Sequence, residues 1–152
     1  MDLHEYLNVM ATCGTEYRQL SPQDRLAAMR RWREVFSAPS PVKTGESTVR
    51  AWRVFGRPDT RAVVGCPALE AYRAEHAATF YVFPEDPVLP ALECRSGQLP
   101  DFDVLQADVY VWPEDLSWTM AFTNNANVIE TGPYFSRREW MQQGSLHMER
   151  PN

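Results

Sequence analysis

ADVYVWPEDLSWTMAFT, residues 107–123, decides the fold. Apolar and aromatic side chains alternate with polar ones on either side of Pro113-Glu114-Asp115-Leu116, and four residues is the length of a hairpin connection. The first arm sets Ala107, Val109 and Val111 against Asp108, Tyr110 and Trp112. The second sets Trp118, Met120 and Phe122 against Ser117, Thr119 and Thr123. Period two on both arms predicts a pair of antiparallel strands. Downstream, Asn124, Asn125 and Asn127 follow the second arm. Asparagine tolerates left-handed backbone and caps turns through its amide, so these residues read as a turn. Gly132-Pro133 then leads into Tyr134 and Phe135, expected to form an edge strand, with SRREWMQQ continuing as a helical turn.

Upstream, ATFYVF (residues 78–83) is a third β-rich run, ended by Pro84, Pro87 and Pro90. The period changes before it. Leu3, Tyr6, Leu7 and Met10 recur at helical steps, and SPQDRLAAMRRWREVF offers Ser21 as N-cap, Pro22 at the first helical position and Asp24 in the first turn. Leu26, Met29, Trp32 and Phe36 are expected to line its apolar face. The cluster Arg25, Arg30, Arg31 and Arg33 reads as a solvated helix face, with anion binding as the competing reading. SAPSPVKTGEST is a loop, TVRAWRVFG a short strand through Val49, Trp52 and Val54, and GCPALEAYRAEH a helix with Leu69, Tyr72 and His76 on one side. The fold expected from this order is α+β. It is a single domain over residues 1–152, with a mainly antiparallel sheet from the C-terminal half packed by N-terminal helices.

The composition suits a folded domain: 44% of residues are hydrophobic and five are Trp. The N-terminus lacks a basic segment followed by an apolar run, and nothing approaches the roughly 20 apolar residues of a membrane span. Three cysteines without close spacing, Cys13, Cys66 and Cys94, suit a reducing compartment. The expected location is the cytoplasm, with no membrane association.

The net charge of −5 conceals an asymmetry. Residues 84–130 hold nine acids, Glu85, Asp86, Glu93, Asp101, Asp103, Asp108, Glu114, Asp115 and Glu130, against Arg95 alone. Such a field repels phosphate backbones and attracts cationic proteins. Nucleic acid is therefore an unexpected partner, and a basic protein surface the natural one. Within the acidic half, Glu85, Asp86, Asp108, Glu114 and Asp115 are the candidate partner-binding carboxylates. Trp112, Trp118 and Tyr134 are candidate aromatic anchors among them, although Trp118 also reads as core.

Covalent chemistry finds little support. His4, His76 and His147 are far apart and the cysteines form no C-x-x-C pair, so neither a metal nor another cofactor is expected. Neighbouring carboxylates in tight connections do not make the opposed pair of a glycosidase. Cys66 at a helix start could be activated as a thiolate, yet His76 lies some three turns along the same helix, and a buried small side chain is the preferred reading. No catalytic residue is assigned.

The words WREVFS, AWRVFG, ALEAY, FYVF, DVYVWPEDLSWTMAFT and GPYF, in that order, resemble a small bacterial family of unknown function. Its pattern is an aspartate-aromatic strand, Trp-Thr followed by Thr-His-Glu, and then Gly-Pro-Tyr-Phe. Coverage runs from about Trp32 to Phe135, and Thr123-Asn124-Asn125 stands where that family shows Thr-His-Glu, which puts in doubt here any activity that rests on the His-Glu pair. The chain also looks like the immunity proteins that bacteria encode beside polymorphic toxins. That resemblance implies no enzyme activity but stoichiometric binding of a cognate toxin with a basic active-site surface. A small enzyme using Cys66, His76 and a carboxylate, and a regulatory adaptor, are the alternatives.

Overall fold

The computed structural model describes residues 1–37, 51–56, 60–95, 97–124 and 132–141. The loop after Phe36, Val49, Asn125, Asn127, Glu130 and His147 lie outside them. Helix α1 (Leu3–Cys13) starts at a capping box: Asp2 accepts from the Glu5 amide at 2.8 Å, and Glu5 accepts from the Asp2 amide at 2.9 Å. Strand β1 (Glu16–Gln19) follows. Helix α2 (Pro22–Phe36) begins as its sequence predicts, with Ser21 Oγ accepting from the Asp24 amide at 3.1 Å. A 3₁₀ turn (Ala51–Gly56), strand β2 (Val63–Val64) and helix α3 (Cys66–Arg73) come next. The chain then runs through β3 (Thr79–Pro84), β4 (Leu92–Arg95), a short 3₁₀ turn (Asp103–Leu105), β5 (Val109–Pro113), β6 (Trp118–Phe122) and β7 (Tyr134–Arg137), and residues 138–141 are helical.

Among the described residues the strands make one antiparallel sheet in the order β1-β4-β3-β5-β6-β7-β2. The fold is α+β, and the β5–β6 hairpin has the expected register, with Val109 opposite Phe122 and Val111 opposite Met120. β7 is no edge: it lies between β6 and β2. Residues 51–56 are 3₁₀ rather than strand, and they turn Trp52, Val54 and Phe55 into the core.

The sheet is covered on both faces. Phe80, Val82, Val109, Val111, Met120 and Phe135 pack under Tyr6 and Met10 of α1 and Ala68 and Tyr72 of α3. Tyr81, Phe83, Tyr110, Trp112, Ala121 and Tyr134 pack on the other side under Ala28, Trp32 and Phe36 of α2 and the 51–56 turn. Alternation in β5 and β6 therefore sorts residues between two cores and not between core and water. The buried row on α2 is Ala28, Trp32 and Phe36, while Leu26 is 67% exposed. Arg25 takes the place expected of an apolar residue. Its guanidinium donates to the carbonyls of Leu89 at 2.6 Å and Pro84 at 2.9 Å and lies 5.9 Å from the Phe83 ring, so it clips the β3–β4 connection to α2. No helix among the described residues is long and apolar enough to cross a membrane.

Gly132 has φ +105, and a Cβ placed there would meet Thr123 side-chain atoms at 2.7 Å. The Thr123 side chain is itself buried and cannot swing into solvent. Gly132→Ala is expected to cost about 2 kcal/mol through the disfavoured backbone and this contact; a urea melt indistinguishable from the parent would remove the constraint.

Candidate functional site

β5 spans the sheet, and the acids flanking it part company at its two ends. Asp108 precedes the strand and Glu114 follows it, six residues on at about 3.3 Å each, so the two ends are roughly 20 Å apart.

At the first end, β3 finishes at Pro84 and the Glu85 amide donates to the Asp108 carbonyl at 2.8 Å, which brings the two carboxylates together. Their side chains are held from below by the core. Tyr110 Oη donates to Glu85 Oε1 at 2.5 Å and accepts from the Trp52 amide at 2.9 Å. Asp108 Oδ1 accepts from Trp52 Nε1 at 3.0 Å and from the Asn124 amide at 2.9 Å. Asp86 closes the next turn by accepting from the Val88 amide at 2.9 Å, and it is exposed. Burial first, then the Glu85 charge, pushes the Tyr110 phenol well above its ordinary value, so it stays a donor. A recess of about 320 Å³ opens here, lined by Glu85, Asp86, Gln106, Asp108 and Asn124 among others.

The second end is of mixed charge. Leu116 takes left-handed backbone (φ 59) in the hairpin, and Asp115 Oδ1 accepts from the Ser117 amide at 2.9 Å. Arg138 donates to the Asp115 carbonyl at 3.2 Å, and Arg137, Arg138 and Glu139 share a recess of about 470 Å³ with Asp115 and Ser117. Arg138 thus stands beside Asp115, while Arg137 is held by Glu75 at 2.7 Å and Glu139 adds a carboxylate.

The other described acids of that stretch are elsewhere. Glu93 lies on the sheet, where the Arg18 hydrogen bond at 2.6 Å leads the effects that hold its carboxyl below the usual range. Asp101 pairs with Arg73 at 2.8 Å and accepts from the Asp103 amide at 3.0 Å, beside α3. The eight of these acids that lie among the described residues therefore form no single negative face. Glu85, Asp86 and Asp108 are brought together; Glu114 and Asp115 are not brought to them.

The aromatic anchors require correction. Trp112 is 1% exposed, Trp118 2% and Tyr134 4%. Trp112 packs 4.6 Å from Phe83, Trp118 stacks on Phe135 at 5.9 Å and Tyr134 on Trp52 at 5.9 Å. They are core side chains because their strands are covered on both faces, and none can reach a partner without unfolding.

The Cys/His alternative is not assembled either. Cys66 opens α3 and is exposed, contrary to the buried setting expected of it, whereas Cys94 is the buried thiol, pushed up to about 12 by burial. His76 lies beyond the end of α3 at Arg73, so the length of the helix, about 12 Å, stands between it and Cys66. A cleft of about 700 Å³ holds His76, Arg73, Glu75, Gln98 and Asp101 without Cys66, and Glu75 is already paired with Arg137 at 2.7 Å. Among the described residues no three His, Cys, Asp or Glu side chains gather where they could hold a metal ion. Trp52, Tyr110 and Asn124 are the members of the acidic end that sequence reasoning missed; no local signal marks them, because their roles arise from strand pairing.

No protein-family model, curated protein or solved structure gives a significant match to this chain.

Proposed function

We propose that this chain is an immunity-type protein, a stoichiometric cytoplasmic inhibitor that docks on the cationic surface of a bacterial toxin and performs no covalent chemistry of its own. The observation that carries the reading is the clustering of Glu85, Asp86 and Asp108 around one recess, with Glu85 and Asp108 held by Tyr110, Trp52 and main-chain donors. Carboxylates already immobilised lose little further freedom when a lysine or arginine enters between them. Their shared sign steers a cationic partner and disfavours an acidic one. The resemblance to immunity proteins supports the same reading.

Asp86 is the cleanest probe, because Glu85 and Asp108 also hold core residues. Co-expressed with the toxin encoded beside it, the protein is expected to co-purify as a complex of fixed stoichiometry. Asp86→Lys should weaken that complex at least about tenfold, more at low salt than at high salt, with the fold retained and stability lowered by no more than about 1 kcal/mol through loss of the Val88 turn bond. Asp115→Lys, at the far end, is the control and should leave affinity nearly unchanged. Equal affinities for parent and D86K would overturn the assignment of this end, and absence of any complex would overturn the function.

A further inference from the structure

β1 ends the sheet: it pairs with β4, and among the described residues no strand lies on its other side. All four of its residues are exposed. The Leu20 amide donates to the Ala91 carbonyl at 2.9 Å, one step beyond the pairing of Gln19 with Leu92. In an antiparallel ladder a residue turns both main-chain groups toward one neighbour and the next residue turns its pair the other way. Glu16 and Arg18 therefore face β4 like Leu20, and Tyr17 and Gln19 present their N–H and C=O outward.

We propose that this edge pairs with the same edge of a second copy of the chain, continuing the sheet across a two-fold axis. Identical edges meeting about a two-fold run antiparallel. Outward-facing residues must then oppose one another, which leaves three registers. Tyr17 opposite Gln19 sets Arg18 against Arg18, and Gln19 opposite Gln19 sets Arg18 against Leu20. Tyr17 opposite Tyr17 sets Glu16 against Arg18 twice, once on each side of the axis. Opposite charges directly across a ladder attract and like charges repel, so the third register is selected.

The existing sheet extends the argument. Arg18 lies opposite Glu93 of its own chain, and Glu16 opposite Arg95. Across the joined sheet the row then reads Glu93, Arg18, Glu16 of the second copy and Arg95 of the second copy, alternating in sign throughout. Of the devices that keep an edge single, a proline, a lysine and a bulge do not occur within Glu16–Gln19, whereas a short strand and charged side chains do; in the selected register those charges, Glu16 and Arg18, become cross-strand pairs.

Sedimentation equilibrium on the full chain, from about 1 μM to on the order of 1 mM, is expected to show a monomer–dimer equilibrium. Tyr17→Pro removes an outward N–H that β4 does not use and should give a monomer with an unchanged circular dichroism spectrum. Glu16→Lys places a lysine opposite Arg18 at both symmetric positions and should raise the dissociation constant about tenfold. E16K serves as the test if Y17P does not fold. A parent chain that remains monomeric at the highest concentration overturns the proposal, as does a dimer that neither substitution weakens.

Discussion

Trp32→Ala is expected to cost about 3–5 kcal/mol of folding free energy, a large part of the roughly 5–15 kcal/mol that holds a domain of this size together. Trp32 is wholly buried at the centre of the α2 face. Its ring lies 5.4 Å from Tyr110, 5.7 Å from Phe36, 5.9 Å from Phe55 and 6.2 Å from Trp112, so truncation opens a cavity that four aromatic neighbours cannot close together. Trp32 Nε1 also donates to Thr119 Oγ1 at 2.9 Å inside the sheet, and the alanine leaves that hydroxyl without this donor. Trp32→Phe restores most of the volume and not the donor. Chemical denaturation should rank the parent above W32F and W32F above W32A. In a W32F background, Thr119→Val should cost less than it does in the parent, because the bond it would break is already gone. Equal costs in both backgrounds would show that the bond contributes nothing, and a W32A loss below about 1 kcal/mol would mean that this face is loosely packed.

The same residues show what the sequence made legible. Ser21, Pro22 and Asp24 announce the start of α2 because capping is local chemistry, and the structure places the start there. The β5–β6 hairpin is equally local, two alternating runs joined by a short turn. β1 and β4 were not legible: Glu16-Tyr17-Arg18-Gln19 and Leu92-Glu93-Cys94-Arg95 are four residues each, and the first carries no apolar period at all. They become strands only because β3 supplies a ladder to extend. The candidate site suffers from the same non-locality. Trp112 and Glu114 are near neighbours in the chain, yet one is core and the other exposed, because a strand covered on both faces buries every residue up to the turn. Likewise Glu85 and Asp108 are distant in sequence and meet only through the β3–β5 pairing. Local charge counting joins Glu114 and Asp115 to that cluster and cannot see the length of β5 between them.

Raising the pH should unfold the protein steeply, because Tyr6, Tyr72 and Tyr110 are buried as proton donors, and Tyr81, which donates to Glu93 at 3.5 Å and is also raised by burial, adds to them. Tyr6 donates to the Pro90 carbonyl at 2.8 Å, Tyr72 to the Pro100 carbonyl at 2.5 Å and Tyr110 to Glu85. Burial is the largest cause that raises each of them above the ordinary phenol value, and for Tyr110 the Glu85 charge adds to it. A phenolate at any of the three positions would face an oxygen in place of a donated proton. The folded pKa values lie above the unfolded value of about 10, so this contribution to stability is fully present below pH 10 or so and is lost as pH rises toward the folded values. Between those limits the unfolded chain has released three more protons from Tyr6, Tyr72 and Tyr110 than the native one, which lowers the unfolding free energy by about 4 kcal/mol per pH unit for the three together. Cys94, pushed up to about 12 by burial, begins to add to the loss from a lower pH because an unfolded thiol ionises near 8.5–9. Urea melts taken at steps from pH 8 to pH 11 should therefore show stability nearly level at first and then collapsing. Tyr6→Phe and Tyr72→Phe each lose a hydrogen bond, which lowers stability by about 1 kcal/mol at neutral pH. Each should also remove one phenol's share of the alkaline slope, about 1.4 kcal/mol per pH unit, since that phenol no longer releases its proton on unfolding. A substitution that lowers neutral stability and leaves the slope unchanged would mean that the replaced tyrosine already ionises in the folded state as easily as in water.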